Sequence, residues 1–167
     1  MATMVQSPRE QFLTALKMET DTTLKVLRAY PKDKAELKPT PVMKSARELA
    51  WMFTAEMGAS LLAIHDELRM PPDLPPVPAT LDEVITAFEQ TRDQLAAALE
   101  KIGDEDLTGT VPFPSGPGQM GEFPKVQFLW FMLCDQIHHR GQFSVYTRLA
   151  GGRLPSIYGP TADEPWF

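Results

Sequence analysis

The chain has 167 residues, 43% of them apolar, enough for one domain of ordinary size to bury a core without staples. Its net charge is −6, and its 16 lysines and arginines are scattered rather than gathered into a stripe, which argues against a nucleic-acid partner. One cysteine excludes an intrachain disulfide and a cysteine-based zinc ribbon. The start, MATMVQSPREQF, has neither the basic nor the apolar region of a signal peptide, and no apolar stretch is long enough for a membrane span. A cytoplasmic protein is expected.

The first helix is predicted over 7–30. Ser7 and Glu10 form a capping box, Pro8 suits the first turn, and Phe12, Leu16, Thr23, Leu27 and Tyr30 recur at helical spacing up to Pro31. A polar loop then leads to a second helix over 45–69, opened by Ser45 and Glu48. Its apolar stripe is Leu49, Phe53, Met57, Leu61, Ile64 and Leu68. The five prolines between Met70 and Pro78 forbid a helix there and read as a stiff connector. Thr80 and Glu83 repeat the capping box and start a third helix over 80–102, with Gly103 just past its end.

Residues 103–123 are rich in glycine and proline and read as a long loop. Pro124 opens a fourth helix over 124–150, ended by Gly151 and Gly152. Its middle, VQFLWFMLCDQI, is apolar almost all round, as in a helix buried on most sides. Four such stripes without strand-like alternation predict an all-α antiparallel four-helix bundle with no sheet of consequence.

The chemistry is concentrated in Asp135-Gln136-Ile137-His138-His139-Arg140-Gly141-Gln142. Asp135 and His139 lie one turn apart on one face, where a carboxylate and an imidazole can occupy two positions of a metal site, or simply bond to each other. His138 points about 100° away and reads as a hydrogen-bonding or interface residue. His65 reads as structural, since an imidazole suits the negative end of the second helix. Arg140 is expected to pair with a carboxylate or with helix-end carbonyls. Gly141 reads as a close-approach point between helices, and Tyr146 as a core tyrosine with a satisfied hydroxyl. Trp51, Trp130 and Cys134 read as buried core. No phosphate-cradling loop and no Gly-x-Ser-x-Gly elbow occurs.

The string Asp135 to Gln142, followed by Tyr146-Thr147-Arg148-Leu149-Ala150-Gly151 and by Pro155-Ser156-Ile157-Tyr158-Gly159-Pro160, resembles the DinB/YfiT-like family, as does Glu48 to Glu56 in the second helix. The resemblance implies a four-helix bundle, often dimeric, in which three histidines bind a divalent metal such as nickel or zinc. It also implies a thiol-dependent transferase or isomerase, or a metal-dependent hydrolase, acting on a small molecule. Here Met52 and Asp135 stand where two of those histidines would fall, and only His139 matches directly. Asp135 remains an oxygen ligand. Glu56, one turn after Met52, can supply a second carboxylate. The expected metal ligands are therefore Glu56, Asp135 and His139, with nickel or zinc binding weak or absent. The alternative is a metal-free bundle that binds a small molecule or a protein without catalysis.

Overall fold

The computed structural model describes residues 6–73 and 75–167. Four helices, α1 (Pro8–Arg28), α2 (Ala46–Ile64), α3 (Leu81–Lys101) and α4 (Lys125–Leu149), form the expected bundle. α1 and α2 each pack against both α3 and α4, so α1 faces α2, and α3 faces α4, across the diagonals. The connections from α1 to α2 and from α3 to α4 therefore cross the bundle, and both are long.

Each of the three predicted capping boxes forms in both directions. Ser45 is the tightest: its N–H donates to Glu48 Oε2 at 2.6 Å, and its Oγ accepts from the Glu48 N–H at 3.2 Å. These side chains satisfy N–H groups that the first helical turn leaves without partners. Behind them the stripes converge. Phe12, Leu16, Phe53, Met57, Phe88, Leu95, Leu99 and Phe143 are all essentially inaccessible and make one core.

Three expectations fail. α2 stops at Ile64, short of the predicted residue 69. Asp66 adopts φ +60°, the Glu67 N–H reaches back to the Leu62 carbonyl at 2.9 Å, and the Asp66 N–H bonds the Ala63 carbonyl at 3.3 Å. This is a Schellman closure with an aspartate at the left-handed position, where glycine is the usual residue. α4 ends the same way at Gly151, φ +77°, with the Gly152 N–H on the Thr147 carbonyl at 2.9 Å.

The predicted loop over 103–123 contains a hairpin of β1 (Thr110–Gly116) and β2 (Gln119–Pro124), paired antiparallel from Thr110↔Pro124 to Gly116↔Gln119. Pro112 and Pro114 are tolerated because a two-stranded ribbon needs only one edge of each strand. The hairpin is anchored to α4. Phe113 meets the rings of Phe128 at 5.2 Å and Phe131 at 5.4 Å, and buried Val111 joins Ala63, Leu68, Phe128 and Met132 in a second small core.

Thirdly, α4 is not buried on most sides. Trp130, Phe131, Cys134, Val145 and Leu149 recur at helical spacing on its exposed face. Cys134 is thus an exposed thiol, and Trp130 is 37% exposed, though it still edges onto Phe12 at 5.4 Å. Gly141 lies on this face too. No atom lies within 4 Å of where its Cβ would be, so it permits no close helix approach. Trp51 and Tyr146 are buried as expected, and the Tyr146 hydroxyl donates to the Lys44 carbonyl at 2.9 Å.

Candidate metal centre

α2 presents Met52 and Glu56 one turn apart, and α4 presents Asp135 and His139 one turn apart. Because α2 packs against α4, the two faces meet. One donor atom from each of Glu56, Asp135 and His139 lies within 4.8 Å of the others. The three predicted ligands thus converge, and Met52 lines the space beside Glu56 and Asp135.

Glu56 is 6% exposed, yet neither of its carboxylate oxygens has a hydrogen-bond partner, and the same holds for His139 Nδ1. Nδ1 and Glu56 Oε1 approach to 2.8 Å. The separation suits an ion pair, but the two atoms are not aligned as donor and acceptor. Three buried polar atoms therefore point into one small space, with the Glu56–His139 ion pair but no aligned hydrogen bond to offset their desolvation. The His139 ring is held edge-on to Phe53, centroids 6.4 Å apart.

The electrostatics follow from this crowding. Burial pushes the Glu56 carboxyl up to about 7; His139 opposes the shift, and Asp135 adds to it. His139 is raised above the ordinary imidazole range by the Glu56 carboxylate beside it, against the pull of burial and of Lys44, with Asp135 helping. A carboxylate and an imidazole brought this close favour each other's charged forms, and a bound cation would take the imidazolium's part beside the carboxylate.

The other predicted residues take structural places. His138 is exposed and bonds Gln142 at 2.9 Å, and His65 caps the end of α2. Arg140, 1% exposed, donates to Glu19 Oε2 at 2.6 Å, the carboxylate partner expected of it, and to the Glu19 carbonyl at 2.9 Å, which lies in the middle of α1 and not at a helix end. It also bonds the Tyr158 hydroxyl, which donates to Glu19 at 2.7 Å, so the C-terminal Tyr-Gly-Pro segment is tied to α1 and α4 through one buried cation. Glu19 carried no sequence signal beyond its place on a stripe of α1. Phe113, a wall of the cavity beside the centre, lay hidden in what read as a loop.

The model of the DinB family matches residues 1–165. A Bacillus subtilis (strain 168) relative, the uncharacterised protein YrdA, is 28% identical over 156 residues, 93% of this chain and 90% of its own length. A DinB-like protein from Bacillus cereus ATCC 10987 superposes with a TM-score of 0.74 at 25% identity, over 89% of this chain and 97% of that one. The DinB-like protein YjoA of Bacillus subtilis gives 0.70 at 19% identity, over 88% and 97%, a likeness of fold. With the match running nearly end to end and the bundle reproduced in solved relatives, the chain belongs to the DinB family.

Proposed function

We propose that Glu56, Asp135 and His139 hold a divalent metal, and that the protein is a metal-dependent hydrolase or thiol-dependent transferase acting on a small electrophilic molecule. The observation that carries this reading is the set of donors without hydrogen bonds, two Glu56 oxygens and His139 Nδ1, buried within 4.8 Å of an Asp135 oxygen. Buried polar atoms are normally satisfied, and a cation satisfies all three at once. Two carboxylates and one imidazole suit a harder cation such as manganese or iron(II) better than a three-histidine set does, so zinc or nickel affinity should be modest. A bound metal would lower the pKa of a coordinated water or thiol and polarise an electrophile. The chain's own part is to fix the donors: Phe53 sets the His139 ring, and the rigid pairing of α2 with α4 sets Glu56 against Asp135.

A second reading has one observation in its favour. The 2.8 Å approach of Glu56 to His139 is an ion pair that stands without a metal, in a bundle that binds a small molecule and catalyses nothing. Titration of dialysed protein with manganese, iron(II), zinc and nickel separates the two. The first reading expects one ion per chain, lost in His139→Ala. No binding of any of the four by the natural protein overturns it. A homodimer joined through the exposed apolar face of α4 is also proposed; that face carries more apolar surface than a monomer needs.

A further inference from the structure

Beside Glu56 and Asp135 lies a cavity of about 170 Å³. Its walls come from three parts of the chain: Met52 and Ala59 from α2, Phe128 and Met132 from α4, and Phe113 from the hairpin. Leu68 and Met70, in the segment after α2, close another side. Glu56 and Asp135 are the only ionisable residues that line it among the described residues. We infer that this slot binds the apolar, ring-sized part of an uncharged substrate whose reacting group lies at the Glu56–Asp135 end. The inference rests on the reading of that centre given above.

Size sets the first limit. An apolar cavity of about 150 Å³ accommodates benzene, so the enclosed part of this one takes a single ring or a branched alkyl group of similar bulk. Wall chemistry sets the second. Methionine thioethers make favourable contacts with aromatic edges and adapt to irregular shapes, and Met52, Met70 and Met132 all border the slot. Charge sets the third. No lysine or arginine lines the slot among the described residues, and two carboxylates against one imidazole disfavour an anion in a medium of reduced dielectric. The neighbouring lysines, Lys38 and Lys44, line a separate cleft that shares Met52 with the slot. An uncharged group is therefore the one that the metal-free slot accepts.

The test is NMR of protein carrying [13C-methyl]methionine, treated with EDTA so that its outcome does not depend on the metal reading. Benzyl alcohol should shift the methyls of Met52, Met70 and Met132 and leave those of exposed Met18 and Met120 in place. Benzoate should bind about tenfold or more weakly than benzyl alcohol. Ala59→Phe should fill the slot and abolish the shifts; Phe113→Leu, which keeps an apolar side chain against Phe128, should weaken binding while the circular dichroism and the Met18 methyl stay unchanged. Shifts elsewhere, equal binding of benzoate, or full binding by both variants overturns the proposal. Metal titration of the same sample tests the centre separately, since a slot that binds benzyl alcohol beside a centre that takes no ion refutes only the metal.

Discussion

Replacing Arg140 by methionine should be among the most damaging single changes in this chain. The guanidinium is 1% exposed. It makes hydrogen bonds to Glu19 Oε2 at 2.6 Å, to the Glu19 carbonyl at 2.9 Å and to Thr23 Oγ1 at 3.3 Å, bonds the Tyr158 hydroxyl, and lies 5.1 Å from the centre of the Tyr158 ring. Methionine fills much of the volume but leaves the Glu19 carboxylate, 7% exposed, with the Tyr158 hydroxyl at 2.7 Å as its one side-chain partner among the described residues. Breaking a buried pair from one side costs about 3–5 kcal/mol, because the remaining charge is stranded. That is a large part of the roughly 5–15 kcal/mol that holds a domain together. Glu19→Gln keeps an acceptor but leaves the buried guanidinium charge unpaired, and should also cost about 3 kcal/mol. The double change Glu19→Leu with Arg140→Met removes both charges and should cost less than Arg140→Met alone. Urea unfolding followed by circular dichroism gives all of these, and a double-mutant cycle gives the coupling. If Arg140→Met costs under about 1 kcal/mol, or if the costs of Glu19→Leu and Arg140→Met simply add in the double variant, the pair is not the structural tie described.

Glu56→Gln should stabilise the metal-free protein above neutral pH. The folded pKa of Glu56 is raised to about 7 from an ordinary 4.5, so the stability it contributes is complete below the lower value and is lost as pH rises through the higher. The variant minus natural difference should grow from pH 5 to pH 8 by up to about 3 kcal/mol; a flat difference in urea midpoints would refute the burial argument. Met52→His with Asp135→His should raise nickel and zinc affinity well above that of the natural protein by calorimetry, and no change would mean that the three positions do not converge as described. Ser45→Ala should cost about 1 kcal/mol in thermal or urea unfolding, because the buried Oγ that accepts from the Glu48 N–H is lost while the backbone N–H of residue 45 keeps its bond to Glu48 Oε2. Light scattering at micromolar concentration should give twice the chain mass, falling to one in Phe131→Glu; a monomeric natural protein disproves the α4 interface.

The helices and most of their ends were legible in the sequence because their causes are local. Ser7, Ser45 and Thr80 each find their capping glutamate three residues on, and Gly151 closes α4 by its freedom at φ +77°. The pairing of Asp135 with His139 on one face is likewise a property of helix pitch. Other features depended on what lay far away in the chain. Leu68 continues the apolar spacing of α2, so periodicity carried the helix past Ile64; the chain instead turns at Asp66 and Leu68 is buried against the hairpin. That hairpin is written in prolines and glycines that read as loop, and its strands are held by the docking of Phe113 on α4 rather than by their own pattern. An apolar helix does not say which of its faces is covered, so Cys134 and Trp130 read as core until the positions of α1, α2 and the hairpin left that side of α4 open. Likewise spacing put Glu56 on the same face as Met52, but only the packing of α2 against α4 brought its carboxylate to 2.8 Å from His139, and only burial there left the donors of both without hydrogen bonds.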